Sequence, residues 1–122
     1  MKPEITLIIT NWNGSNLLRE CMPTVLEAVR FDRHHCYEVM VIDDCSTDNS
    51  LEILTDEFPE VRTEQTPQNL GFQEANNYAV KLAESKIVMP MNNDIKLDPK
   101  ALRYLAQHFD NKDIFAVSGK IF

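Results

Sequence analysis

The chain has 122 residues and a mass of 14.1 kDa, enough for one domain with its own core and too short for two. Hydrophobic residues at 43% and charged residues at 25% argue against wholesale disorder or a fibrous repeat and predict a packed soluble domain. Twelve Lys and Arg against 19 Asp and Glu leave a net charge of −7 without a basic cluster, which argues against nucleic-acid or acidic-membrane binding through a general electrostatic footprint. An anionic small ligand stays open, because backbone N–H groups or a bridging divalent cation can hold one in an acidic protein. Cys21, Cys36 and Cys45 form neither an even framework nor a C-x-x-C pair, so reduced thiols are expected. No apolar stretch approaches the roughly 18 residues of a membrane helix, and the N-terminus lacks a signal-like apolar run. The expected location is cytoplasmic, including the cytoplasmic face of a membrane in a full-length protein.

In chain order, Ile5 to Ile9 is a compact apolar run ending in Thr-Asn-Trp-Asn-Gly, the pattern of a strand covered on both faces and running into a turn. From Ser15 to Val29, Leu17, Leu18, Cys21, Met22, Val25, Leu26 and Val29 recur at helical spacing; Pro23 is expected to kink that helix or restart it. Val39 to Ile42 repeats the strand signature, and Leu51, Ile53, Leu54 and Phe58 form the next helical face. A short extended piece at Val61 to Glu64 precedes a third helix marked by Phe72, Ala75, Ala79, Leu82 and Ala83. Ile87 to Met91 reads as a fourth strand, Pro99 to Phe109 as a fourth helix with Pro99 in its first turn, and Ile114 to Val117 as the start of a fifth strand. Strands alternating with helices at this spacing predict an α/β fold, a Rossmann-like, mostly parallel sheet with helices on both faces.

In such sheets ligands bind beyond the carboxyl ends of the strands, and the polar clusters fall there. Thr10-Asn11-Trp12-Asn13 follows the first strand, Asp43-Asp44 the second and Asn92-Asn93-Asp94 the fourth, while Asn69-Leu70-Gly71 precedes the third helix. Singly, each is good turn and cap chemistry; Asp48 and Asn49 read as caps, with Glu52 completing a capping box from Asn49, and Gly71 reads as a positive-φ position. Four clusters on one edge point instead to a site, in which Trp12 offers its face to a ring. His34, His35 and Cys36 lack the spacing of a zinc site and read as a solvated loop.

The succession Ile-Ile-Thr-Asn-Trp-Asn-Gly (8–14), Val-Ile-Asp-Asp-Cys-Ser-Thr-Asp (41–48), Asn-Leu-Gly-Phe-Gln-Glu-Ala-Asn-Asn (69–77) and Met-Asn-Asn-Asp (91–94) resembles the family 2 glycosyltransferases of GT-A fold, in their nucleotide-sugar-binding half. The resemblance implies that Thr10 and Trp12 line the base of a sugar nucleotide. Asp44 would accept a hydrogen bond from the uracil or thymine imide, a pairing that suits an acceptor-only carboxylate. Gly71 and Asn77 belong to the third nucleotide-binding block, where Asn76 takes a slot often held by Arg and so removes a cation from the diphosphate. Asn92-Asn93-Asp94 stands where the family carries Asp-x-Asp, so Asp94, helped by the neutral oxygen of Asn92, is the implied ligand of Mg²⁺ or Mn²⁺.

The implied activity is inverting, divalent-metal-assisted transfer of a sugar from a UDP- or dTDP-sugar to a polysaccharide or glycolipid acceptor, in cell-surface polysaccharide biosynthesis. The family's acceptor-binding half and its general base are expected downstream of Phe122, so residues 1–122 form a single donor-binding domain, expected to be inactive alone and to self-associate through an uncovered apolar edge near Phe115, Ile121 and Phe122. The alternative is a non-catalytic nucleotide-binding or interaction module on the same fold. A phospho-acceptor domain would place its Asp pair after the first strand, and a nucleotidyltransferase would need a Gly-rich basic loop where residues 11–15 hold one Gly and no Lys or Arg.

Overall fold

The computed structural model describes residues 2–119. Its four strands are β1 (Ile5–Asn11), β2 (Tyr37–Asp43), β3 (Arg62–Gln65) and β4 (Ile87–Asn92). All pair in parallel, in the order β3-β2-β1-β4. β1 is central and every one of its residues is buried, which is why its sequence reads as a continuous run and not as an alternation. Its two faces still divide by parity. Ile5, Leu7 and Ile9 join one apolar cluster and Ile8 the other, as the period of two requires.

The helices are α1 (Ser15–Phe31), α2 (Ser50–Glu57), α3 (Phe72–Leu82) and α4 (Ala101–Gln107), followed by a 3₁₀ turn at His108–Asp110. Leu18, Met22, Val25 and Leu26 of α1, Ile53 and Leu54 of α2, and Leu102 and Ala106 of α4 pack on the first face. Ala79 of α3 packs on the second, against Ile8, Met40 and Ile42. Chain direction explains the split. β1 to β2 to β3 proceeds one way across the sheet, whereas β3 to β4 returns past both, so crossovers of one hand carry α3 to the opposite face. Burial of each large aliphatic side chain here contributes about 1.5–3 kcal/mol.

The fifth strand expected at Ile114 to Val117 does not form. Residues 114–119 have no regular structure; they lie beside β4 and α4, where Phe115, Ala116 and Val117 help line an apolar groove. Strand propensity records fit to a pleated surface and becomes a strand only when a ladder partner is aligned. The other two residues of the expected apolar edge, Ile121 and Phe122, lie outside the described residues. Pro23 neither restarts nor ends α1, which runs through it; the Thr24 hydroxyl donates to the Cys21 carbonyl at 2.7 Å, and its oxygen accepts the Leu97 N–H at 3.0 Å, tying the segment after β4 to α1.

The capping box from Asn49 is absent, since Asn49 makes no side-chain cap bond. Asp48 acts one residue earlier: its carboxylate accepts from the Ser50 N–H at 2.9 Å and the Ser50 hydroxyl at 2.5 Å, and from the Ser15 N–H at 3.1 Å. One side chain thus serves the N-terminal turns of α1 and α2. The loop at His34–Cys36 is also less solvated than expected, because buried Asp32 accepts from the His34 N–H at 2.9 Å, bonds the His35 ring at 2.8 Å and accepts the Tyr37 hydroxyl at 2.6 Å. None of the three cysteines is in a disulfide, and among the described residues no helix is long and apolar enough to cross a membrane.

Candidate functional site

Strand order reverses between β1 and β4, and the crevice at the carboxyl ends of strands beside such a reversal is where open α/β sheets bind ligands. Register brings the polar clusters to that edge: Thr10 pairs with Ile42 on one side and Asn92 on the other, and Asn11 pairs with Asp43. Residues 10–14, 43–48 and 92–94 therefore leave the sheet at one level.

Asp44 is buried at 3% exposure and organises the loop before α3. Its Oδ1 accepts from the Thr66 hydroxyl and the Leu70 N–H, both at 2.8 Å, and its Oδ2 accepts from the Gly71 N–H at 2.9 Å. The Asn69 amide donates to the Asp44 carbonyl at 3.1 Å. Gly71 enters α3 with φ +86° and ψ 165°, a region almost closed to residues with a Cβ; the expected positive φ is present, and it lets this N–H face the carboxylate. Each carboxylate oxygen carries about two acceptor directions, so Oδ2, with one donor, retains capacity for a ligand N–H.

A second polar network underlies the other half of the crevice. Asn11, fully buried, donates through Nδ2 to Asp43 Oδ1 at 2.9 Å, and its Oδ1 accepts from Asn93 Nδ2 at 2.9 Å. Asp43 in turn accepts from the Ser46 hydroxyl at 2.7 Å and the Ser46 N–H at 2.9 Å. Asn13, at φ +52°, accepts through Oδ1 from the Thr47 and Asp48 N–H groups at 2.7 and 3.2 Å. Buried donors and acceptors are matched throughout: among the described residues no buried side-chain nitrogen or oxygen lacks a partner.

Above these networks lies a cavity of about 540 Å³ lined by Thr10, Trp12, Asp44, Asn69, Gly71, Phe72, Asn92, Asn93 and Asp94. It collects Thr10, Trp12, Asp44, Gly71, Asn92 and Asp94 from the sequence-predicted set. Asn77 is not among the lining residues; it is exposed on α3, and its neighbour Asn76 instead accepts the Thr10 hydroxyl at 2.9 Å. Trp12 and Phe72 stand exposed at 58% and 59%, two aromatic rings along one opening. Asn69 lines the cavity as its cluster before the third helix suggests, whereas neither the Phe72 ring at the opening nor the bond between Asn11 and Asn93 is singled out by the sequence. Phe72 has the spacing of a core position of α3 and also stands in the 69–77 block, and its place directly after the Gly71 turn puts its ring on the site edge.

The lining carries two carboxylates, Asp44 and Asp94, and no Lys or Arg. A diphosphate entering it would meet like charge, so the donor set suits a phosphate ligand only with a counter-cation. Among the described residues no three His, Cys, Asp or Glu side chains converge to hold a metal by themselves. One carboxylate and one amide oxygen at residues 92–94 do fit Mg²⁺ or Mn²⁺ in the manner usual for Mg²⁺, where one or two carboxylates and the ligand's phosphates share the shell with water.

Comparison with known proteins agrees with this layout. Over 110 residues the chain is 29% identical to a chondroitin synthase of Pasteurella multocida (strain Pm70), covering 88% of this chain and 11% of that protein. Over 103 residues it is 27% identical to a poly(ribitol-phosphate) beta-glucosyltransferase of Bacillus spizizenii, covering 81% and 16%. The structure superposes on residues 1–349 of S. aureus TarS, solved in complex with UDP-GlcNAc, with a TM-score of 0.75 and 27% identity, covering 90% of this chain and 31% of that one; its GT-A glycosyltransferase fold is the one expected here. The chain spans between 11% and 35% of the length of the curated relatives it matches. The model of the family described as glycosyl transferase family 2 matches residues 6–122. A match over all but the first five residues decides the classification, and the chain belongs to glycosyl transferase family 2.

Proposed function

We propose that this domain holds the donor of a glycosyltransferase that moves a sugar, with inversion, from a UDP- or dTDP-sugar to a polysaccharide or glycolipid acceptor. The observation that carries the reading is the convergence of Thr10, Trp12, Asp44, Gly71, Asn92 and Asp94 on one cavity at the carboxyl edge of the sheet. The UDP-GlcNAc complex of a structural relative supports the choice of donor class.

The residues divide the work by their chemistry. Trp12 and Phe72 present apolar faces to the base, and Asp44 Oδ2 accepts the N3–H that uracil and thymine carry and cytosine lacks. Thr10, fixed by Asn76, closes the floor beneath the base. Asp94 with the Asn92 oxygen would hold Mg²⁺ or Mn²⁺, which when bound neutralises charge on the departing diphosphate. Inversion requires the acceptor hydroxyl to attack the anomeric carbon on the face opposite that leaving group, with a base taking its proton; none of the residues placed in this cavity is assigned that role.

Calorimetry with UDP, dTDP and CDP tests the reading. UDP and dTDP are expected to bind in the presence of Mg²⁺ or Mn²⁺ and to exceed CDP by about tenfold or more, the consequence of losing one hydrogen bond to a charged acceptor. Equal affinity for UDP and CDP would remove Asp44 from base recognition, and absence of UDP binding would remove the proposal.

A further inference from the structure

We propose that Asn11 and Asn93 form a positioning bridge that sets the Asn92-Asn93-Asp94 turn against the nucleotide loop, so that the pair, without binding the metal itself, controls how strongly metal and nucleotide assist each other. The inference deepens the proposed function and rests on it.

Three observations carry it. First, Asn11 is a fully buried amide at the end of the central strand with both ends used: Nδ2 to Asp43 at 2.9 Å and Oδ1 from Asn93 at 2.9 Å. Asp43 precedes Asp44 in the chain, and the Asp44 N–H donates to the Asn11 carbonyl at 2.9 Å. One residue therefore touches both halves of the crevice, the carboxylate loop on one side and the 92–94 turn on the other.

Second, the 92–94 turn has a single side-chain tether to the sheet among the described residues, the Asn93 amide. Asn92 and Asp94 are exposed and make no side-chain hydrogen bond among those described, so the direction in which Asp94 faces the cavity depends on its neighbour. Asn93 itself lines that cavity.

Third, the backbone beside the bridge is kept bare. A Cβ on Gly14 would collide with Asn93 Nδ2 and stand 2.6 Å from Asn11 Oδ1. Gly14 has φ −108° and ψ 37°, with no positive φ to demand glycine. The missing side chain at residue 14 is thus explained by the bridge and not by backbone conformation.

The geometry makes a separable claim about linkage. Removing the tether should leave the base contacts at Trp12, Asp44 and Phe72 in place and weaken only the contribution that metal makes to diphosphate binding. The measurement is the ratio of UDP dissociation constants without and with Mn²⁺, in the 122-residue chain and in Asn93→Ala and Gly14→Ala, with uridine affinity and thermal unfolding recorded for each. Gly14→Ala crowds the contact between Asn11 and Asn93 from its open side while leaving both amides in the sequence, and it guards against any direct ligand contact of Asn93. The expected result is a fall of that ratio by threefold or more in both variants with uridine affinity unchanged. A ratio unchanged in both folded variants overturns the bridge while leaving the nucleotide site standing. Loss of uridine affinity in parallel with the ratio also overturns it, because the pair would then hold the whole crevice and not the turn. A parent chain that binds UDP with no response to Mn²⁺ overturns the bridge's role together with the metal assignment beneath it.

Discussion

At the scale of single residues, the site depends on a few groups whose environment was only partly visible in the sequence. Asp44 carries two loads, since the same carboxylate that faces the cavity holds the Leu70 and Gly71 N–H groups. Asp44→Asn replaces one acceptor by a donor, so it should both narrow the preference for UDP over CDP and lower stability; paired calorimetry and denaturant unfolding separate the two, and an unchanged nucleotide preference would count against base recognition. Trp12→Ala should weaken UDP by about 1–3 kcal/mol, the usual worth of a base stacked on an aromatic ring. Gly71→Ala has free space for its Cβ but an unfavourable φ and ψ, and should cost about 1–3 kcal/mol of stability in denaturant unfolding. Of the residues the motif blocks single out, Thr10, Trp12, Asp44, Gly71, Asn92 and Asp94 line one cavity and Asn77 does not. Asn11 escaped because an Asn at a strand end reads as a turn former; its burial follows from the pairing of Asn11 with Asp43, a long-range register that composition does not carry.

At the scale of elements, helices and central strands were legible because their apolar spacing is local, whereas caps and edges depend on partners. Asn49 satisfies the cap pattern, yet Asp48 is the residue within reach of both Ser15 and Ser50. Asp48→Ala should therefore destabilise the chain by about 0.5–2 kcal/mol, and by more than Asn49→Ala does, in thermal or denaturant unfolding. Asp32 organises the opposite end of the sheet. Burial raises its pKa, but hydrogen bonds from Tyr37, His34 and His35 outweigh burial and hold it below the ordinary carboxylate value. A carboxylate depressed on folding stabilises the native state at pH above its unfolded pKa of about 3.9 and loses that contribution as pH falls through the lower folded value. Unfolding midpoints across pH 2 to 6 should accordingly show a steeper acid loss in the parent than in Asp32→Asn; parallel curves would contradict the assignment. The unformed strand at Ile114 to Val117 belongs to the same lesson, as an apolar run whose ladder partner is not settled by its own sequence.

At the scale of the whole molecule, the proposed function sets an anionic ligand in an acidic chain, which calls for a counter-cation. Net charge of −7 and a cavity lined by two carboxylates would repel a diphosphate, and under the proposed function a cation held at the 92–94 turn would offset that repulsion. Phe115, exposed at 97%, leaves an apolar ring uncovered beside the groove at β4 and α4, and light scattering should show concentration-dependent association of the 122-residue chain that Phe115→Ser reduces. A strictly monomeric mass at high concentration would count against that edge. The chain contains its own reporter of this cavity, because Trp12 is the sole tryptophan and stands at the opening. Titration of Trp12 fluorescence with UDP in Mn²⁺, followed by a chelator, tests the proposed function most directly. Saturable quenching by UDP that the chelator largely reverses is expected, whereas fluorescence indifferent to UDP, or quenching indifferent to the chelator, would contradict a metal-assisted nucleotide site in this cavity.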